Sequence, residues 1–443
     1  MTRPLPCRYI SAPFIPDLGS RLGACHAPCV VFYYRTGDPG DDLGAAGEWC
    51  TIIAGGHNET IATLEGEDSR VIEDHLNSGG MLAGCIKYEA GAHFDNSFQF
   101  HCSNGRITTC EFLLVDCWYQ SDRRKQTARI GFSRNCKIET LDAFRLTLRS
   151  LSKANLPERE DWKDLEGDWL AIAASSGELS YPEYQERLEA LHEGILSGEY
   201  YEVNFTQRFS VKSAVNPARV FRRLLEWQNP AKAFYYKNFD SAIAGASPEI
   251  FLIRSEESLL TAPIKGSWPK GSVIDERLRE KLFAEHTMVI DLARNDLGRV
   301  CRAGSIETVQ SYKTEAFGGM EHLVTRVRGE VISGIGWRAI LKSTFPAASI
   351  TGAPKSASTQ AIARLEKSPR GVYCGACGII GLETMDLNVA IRTISCEPAG
   401  DEHYQYRFGA GGAIVADSNI SDEYEEMLRK SLPLVRAVAD SNG

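Results

Sequence analysis

No run of eighteen or more apolar residues occurs in the 443-residue chain, which excludes a helical membrane span. Positive charge is in short supply as well. The 49 lysines and arginines face 58 aspartates and glutamates, for a formal charge of −9. No basic patch stands out, so a general nucleic-acid-binding role is excluded. The segment Met1-Thr-Arg-Pro-Leu-Pro-Cys7 lacks the apolar core of a secretory signal, and the chain reads as cytoplasmic with no membrane partner. Internal repeats and low-complexity tracts are missing too. Cysteine is not scarce, but its 13 copies are odd in number and scattered, which suits reduced, buried thiols better than a disulfide framework. One pair, Cys374-Gly-Ala-Cys377, has redox or zinc spacing. With no second pair nearby, the plainer reading is two small residues in a glycine-rich strand.

What is present is ordinary globular material. Hydrophobic residues make up 43% and charged residues 24%, enough for one large core or several smaller ones. Residues 1–120 carry short strand-like runs such as Val30–Tyr34 and Phe112–Val115; residues 121–178 are more charged and helical in part, with Asn155–Asp168 reading as an exposed connection. From about 179 the periodicities sharpen. Pro182 opens a helix whose stripe is Tyr184, Leu188, Leu191 and Ile195, with Gly198 as its stop. Val203, Phe205, Phe209 and Val211 alternate with polar residues, as a strand requires. Further helices are predicted at about 217–228, 277–295, 354–366 and 422–440, and strands near 242–253, 322–330, 376–383, 388–396 and 404–415. Many of these strands follow one another without a helix between them. That pattern predicts an α+β fold of antiparallel sheets with helices packed outside.

Charged groups in apolar company carry the chemistry. Lys265 ends the run Ala262–Ile264, just before Gly266. It is either an ordinary lysine with a wet tip or a desolvated amine with a lowered pKa, ready to act as a nucleophile. Glu249 follows Ser247-Pro248 and precedes the apolar Ile250–Ile253; Glu285 shares a helix with Leu282, Met288, Val289 and Leu292. Glu423, Glu426 and Lys430 share one face of the last helix, either as a surface ion pair or as part of a site. Carboxylates from distant helices suit Mg²⁺. Arg392 interrupts Val389–Ile394 and needs a carboxylate, from the substrate or from within the protein. His322 precedes a strand and is either structural or functional. The hydroxyls and free N–H groups of Ser349-Ile-Thr-Gly-Ala-Pro-Lys355 can cap a helix or hold an anion. Gly409–Val415 lets backbone approach something closely, but it is not a dinucleotide fingerprint.

Taken in order, Ser247-Pro-Glu249, Pro263-Ile-Lys-Gly-Ser267, Glu285-His286, Asp291–Arg299, Ser349–Lys355, Ile391-Arg-Thr393 and Ile414–Ser418 resemble the chorismate-utilising enzymes, which include anthranilate, aminodeoxychorismate, isochorismate and salicylate synthases. The resemblance is dense over 180–440. Before 175 it is confined to pieces such as Gly84–Gly91. It implies two packed antiparallel β-sheets surrounded by helices, with 1–175 as an N-terminal region and 176–443 as the chorismate-binding catalytic region. It further implies that Glu285, Glu423 and Glu426 hold Mg²⁺, and that Arg392, Tyr373, Lys430 and backbone near Gly411 and Gly412 contact the carboxylates of chorismate. His322 and Ser349 would line the ring and its C4 hydroxyl.

Within the family, a lysine after Pro-Ile marks the aminodeoxychorismate branch, where anthranilate synthases usually carry alanine. The resemblance then implies that Lys265 attacks C2 of chorismate while the C4 hydroxyl leaves. Ammonia adds at C4 and expels the lysine, and Glu249 handles the proton. The product, 4-amino-4-deoxychorismate, leads to 4-aminobenzoate and folate. Glu202, in Tyr201-Glu-Val-Asn204, stands where water-using members carry a lysine and amine-using members usually carry glutamine; Trp268 stands where arginine is common. Gly84-Cys85-Ile86-Lys87 lacks the glycine of a glutaminase elbow and no His-Pro-Glu follows. Ammonia is therefore expected from a separate glutamine amidotransferase subunit, and no fused lyase is expected beyond the last helix. The rival expectations are anthranilate synthase component I and a catalytically silent chorismate-binding relative.

Overall fold

The helix Tyr181–Leu196 shows how directly pattern becomes structure. Ser180 and Glu183 form a capping box, a proline sits in its first turn, and Tyr184, Leu188 and Leu191 are buried. Gly198, at φ +80°, lets the chain turn away after the last turn. The computed structural model describes residues 7–12, 15, 29–35, 48–54, 60–64, 67–95, 98, 109–122, 126–153, 167–238 and 241–440. Most of the connection expected at Asn155–Asp168 lies outside them.

The strands form two antiparallel sheets, one of eleven strands and one of ten among the described residues. Each draws on both ends of the chain. In the first, Cys29–Arg35 pairs with Lys232–Lys237; in the second, Met81–Ile86 pairs with Ala376–Ile380. Helices cover them, including Pro217–Gln228, Glu276–Gly298, Lys355–Leu365 and Ile420–Val438. The α+β architecture of two antiparallel sheets with outer helices is the one expected. No described helix is long and apolar enough to cross a membrane. The nine described free cysteines include eight buried ones, Cys374 and Cys377 among them. Cys377 sits within the strand Ala376–Ile380, but Cys374 lies in the turn before it at φ +62°, so the plainer reading of both residues in one strand holds for Cys377 alone.

Two predicted strands are wrong in an instructive way. The run 242–253 is two strands, Ala242–Ser247 in the eleven-stranded sheet and Ile250–Ser255 in the ten-stranded one. The run 388–396 likewise divides into Thr384–Val389 and Thr393–Pro398, again one in each sheet. The two corners lie side by side. The Ala246 amide donates to the Arg392 carbonyl at 3.0 Å, the Val389 amide to the Glu249 carbonyl at 3.2 Å, and the Ser247 hydroxyl to the Val389 carbonyl at 2.7 Å. Apolar periodicity runs unbroken through such a corner because both strands are buried, so periodicity cannot report it. Arg392 takes φ +53° at its corner, a left-handed conformation that ends the strand.

Several elements escaped pattern reading, three of them for plain reasons. Glu307–Phe317 is largely half-exposed and polar, Lys232–Lys237 is short, and Trp337–Thr344 is a helix of eight residues.

Candidate active site

The sheet-switching corners open onto a cavity of about 310 Å³, within the range of small-molecule sites. All twelve residues singled out in the sequence line it: Lys265, Glu249, His322, Ser349, Tyr373, Arg392, Gly411, Gly412, Lys430, Glu285, Glu423 and Glu426. They come from distant elements: the two corners, the strands Ile264–Pro269, Met320–Glu330 and Tyr404–Ile414, two helices, and the turns that hold Ser349 and Tyr373.

Lys265 reaches the cavity through a bulge. The pairing of Ile264–Pro269 with Met320–Glu330 shifts register between Lys265 and Ser267, and Gly266 sits at φ +73° against Leu282. The amine donates to Glu202 Oε1 at 2.7 Å, and the two side chains are 9% and 2% exposed. Burial works against the ammonium. The Glu202 carboxylate, with Glu285 and Glu249 behind it, outweighs burial and holds Lys265 above the ordinary lysine range. The lysine is thus buried, as one sequence reading requires, but it is a held cation and not an amine with a lowered pKa.

Glu249 is buried and accepts a hydrogen bond from the Ser349 hydroxyl at 2.5 Å. Burial pushes its carboxyl up to about 7, against the opposing effects of Ser349 and Lys265. A carboxyl poised there can carry a proton in and out near neutrality. The Ser349 hydroxyl therefore serves Glu249, not a helix cap.

One side of the cavity carries Arg392, Lys430 and Tyr373. Arg392 donates to the Lys430 carbonyl at 3.0 Å, and burial lowers its pKa. No described carboxylate forms a salt bridge with it, which leaves the internal-partner alternative without support among the described residues. Lys430 bridges Glu426 Oε1 at 2.7 Å and the Gly411 carbonyl at 3.0 Å. The ring of Tyr373 packs closely on Gly409, where a Cβ would stand 2.2 Å from its Cδ1. Burial, followed by Arg392 and Lys430, lowers His322 to about 3, so it is a neutral ring near pH 7.

The acidic bank is Glu285, Glu423 and Glu426. Burial raises the first two carboxyls; nearby Glu202 adds to this at Glu285 and Glu426 at Glu423, while Lys430 lowers Glu426. Ser418 donates to Glu423 Oε1 at 2.7 Å, which gives the Ile414–Ser418 motif its task. A Cβ at Gly412 would stand 3.0 Å from Glu423 Oε2, so glycine there leaves the carboxylate its room. Among the described residues, no three or more His, Cys, Asp or Glu side chains are already gathered as a metal cage. An open bank of crowded carboxylates nevertheless fits Mg²⁺, which keeps several waters and is held through one or two carboxylates and its substrate.

Behind the cavity lies a buried framework. Arg370 donates to Glu366, to the Ile350 carbonyl at 2.7 Å and to the Asn204 carbonyl at 2.6 Å. Tyr88 lies under its guanidinium, and Glu89 accepts from the Gly371 amide at 3.1 Å, so the Gly84–Gly91 piece braces the site from behind. Lys355 pairs with Asp296 at 2.8 Å, joining the Asp291–Arg299 motif to the Ser349–Lys355 loop through two side chains that do not line the cavity. Trp268 is buried with Leu282 and Leu323 and donates to Glu321 at 2.7 Å, apart from the cavity lining. Sequence reasoning noticed Glu202 as a departure but gave it no role. Its apolar neighbours Val203 and Phe205 gave no sign that it would meet Lys265.

The profile of chorismate binding enzymes matches residues 30–436, and the chain belongs to that family. It is 36% identical over 266 residues to anthranilate synthase component 1 of Aquifex aeolicus, covering 58% of this chain and 53% of that protein. It is 36% identical over 275 residues to the aminodeoxychorismate synthase of Streptomyces pristinaespiralis, covering 59% of this chain and 37% of that one. The matched region thus spans about half, or less, of the length of these relatives. Among solved structures, anthranilate synthase component I from Streptococcus pneumoniae superimposes with a TM-score of 0.70 at 21% identity, over 98% of this chain and 94% of that one, a likeness of fold.

Proposed function

We propose that this chain is the chorismate-aminating component of an aminodeoxychorismate synthase, taking ammonia from a separate glutamine amidotransferase and acting in the cytoplasm for 4-aminobenzoate and folate supply. The observation that carries the reading is the cationic Lys265 between an anion-binding bank and an acidic bank in one cavity. Chorismate is a dianion. Arg392 and Lys430 offer its carboxylates charge-assisted partners, and the glycine-rich Gly409–Ile414 backbone lies beside them. Glu285, Glu423 and Glu426 would hold Mg²⁺, which when bound supplies positive charge for a substrate carboxylate and a departing hydroxyl.

The chain's own residues then divide the work. Lys265 provides the nucleophile that splits one hard displacement at C4 into two easier ones. Glu249, with its carboxyl near 7, gives a proton to the leaving hydroxyl and takes one from the incoming ammonia. His322, neutral and buried, lines the ring without adding charge. Residues 1–175 and 176–443 stand in this proposal as support and catalytic regions.

The test is product identity. Purified chain with chorismate, Mg²⁺ and ammonium at alkaline pH should form aminodeoxychorismate, read by mass spectrometry. Anthranilate with pyruvate would assign the chain to the activity named in its Aquifex relative, and isochorismate would likewise overturn the proposal. Glutamine should replace ammonium only when a partner amidotransferase is added.

A further inference from the structure

Lys265 must be neutral to attack a carbon, yet the free protein holds it charged. The proton has one evident destination. Glu202 Oε1 is 2.7 Å from the amine, and Glu202 Oε2 is buried with no hydrogen-bond partner among the described residues. The Glu202 backbone is fixed from outside. Ala353 pairs with Glu202 and Gly352 with Val203, the Ser358 hydroxyl donates to the Glu202 carbonyl at 2.9 Å, and a Cβ at Gly352 would stand 2.1 Å from that carbonyl oxygen. Gly352, at φ +138°, and Ser358 therefore set where the carboxylate points. A carboxylate so placed, half satisfied and sealed from water, carries a cost that a purely structural role does not explain.

We propose that Glu202 is a positioning residue that receives the Lys265 proton and so releases the amine for attack; this rests on the aminodeoxychorismate reading. The steps balance. A proton passes from Nζ to Glu202 Oε1, leaving a neutral amine and a carboxylic acid. The amine lone pair forms a bond to C2, both conjugated ring double bonds shift by one position towards C4, and the C4–O bond breaks with its electron pair. The departing hydroxide takes the Glu249 proton and leaves as water. Ammonia bonds to C4, both double bonds shift back, and the C2–N bond breaks with its pair returning to the lysine. The new ammonium gives its extra proton to Glu249, and Glu202 returns its own to Lys265. The sum is chorismate plus ammonia giving aminodeoxychorismate plus water.

Several charged groups face Lys265 and share its field: Glu249 at the corner, Glu285 and His286 on the helix Glu276–Gly298, and Glu426 on the last helix. The test must therefore isolate Glu202. The full chain is assayed as wild type, Glu202→Gln, Glu202→Asp and Lys265→Ala, with chorismate, Mg²⁺ and constant free ammonia, from pH 6 to 9. Glu202→Gln should lower kcat at neutral pH by roughly 100-fold, within the range for a lost general base, while KM for chorismate stays within about 3-fold. Its rate should climb with pH relative to wild type, because solvent must now take the proton. Glu202→Asp, which keeps the charge and guards against a folding defect in the amide, should regain at least about 10-fold over Gln. An unchanged kcat in Glu202→Gln, a loss confined to KM, or a profile parallel to wild type would each overturn the proposal. Failure of the parent reading shows elsewhere: wild type then yields no 4-amino product, or Lys265→Ala keeps full rate.

Discussion

Two buried lysine–carboxylate pairs of similar length lie in different parts of this molecule. Lys265 meets Glu202 at 2.7 Å beside the cavity; Lys232 meets Asp386 at 2.7 Å between the two sheets. In the second pair both carboxylate oxygens are used, at 2.7 and 2.8 Å, and burial pulls the lysine down and pushes the acid up, each partly offset by its partner. In the first, one oxygen of Glu202 is left over and three carboxylates surround one ammonium, so the lysine is pushed up. The difference lies in the neighbours, not in the pair. A closed pair is a strut. A pair with a spare oxygen, a surplus of acid and a cavity alongside is chemistry held in reserve.

Exchange of roles would break this comparison. The largest effect is expected from Lys265→Ala, which should lower formation of the 4-amino product by roughly 10³-fold or more, measured by product mass spectrometry. Glu249→Gln should cost about 10²-fold in kcat. Its pH dependence has a definite sign. A carboxyl raised to about 7 is protonated below that pH, so at constant free ammonia the wild-type rate should fall as pH rises through 7, and the amide should lose that limb. The same shift makes Glu249 a stabilising group at low pH whose contribution is lost between about 4.5 and 7.

Lys232→Met should act on stability alone. Leaving Asp386 buried without its partner is expected to cost about 3–5 kcal/mol in urea unfolding, with kcat unchanged in the folded fraction. Removal of Mg²⁺ by a chelator should stop turnover, and Glu423→Gln should raise the Mg²⁺ concentration for half-maximal rate by about 10-fold. The smallest effect is a null one. With His322 near 3, its charge should add no limb to kcat/KM between pH 5 and 8.

Much of the site was legible because each residue type was out of place in its own segment. A lysine ending an apolar run, an arginine breaking one and acids on a greasy helix all pointed to a shared cavity, and they share it. Their order along the chain did what no single one could. The partnerships were not legible. Whether Lys265 is paired, and with what charge, depends on a strand 63 residues away in sequence and on the loop Ser349–Lys355 that fixes it. The corners were hidden for a related reason: burial on both sides makes one long apolar run of two strands in different sheets.

Those corners also bear on how the molecule comes apart. The chain passes from one sheet to the other at 247–249 and 390–392, where each corner is hydrogen-bonded to the other, so neither sheet can peel away without unravelling its neighbour. A ligand gripped by Arg392 while it rests against Glu249 works there as a clasp on both layers. Its saturation should lift the melting of the entire body in one step, by RT ln(1 + [L]/Kd), and not that of a single half.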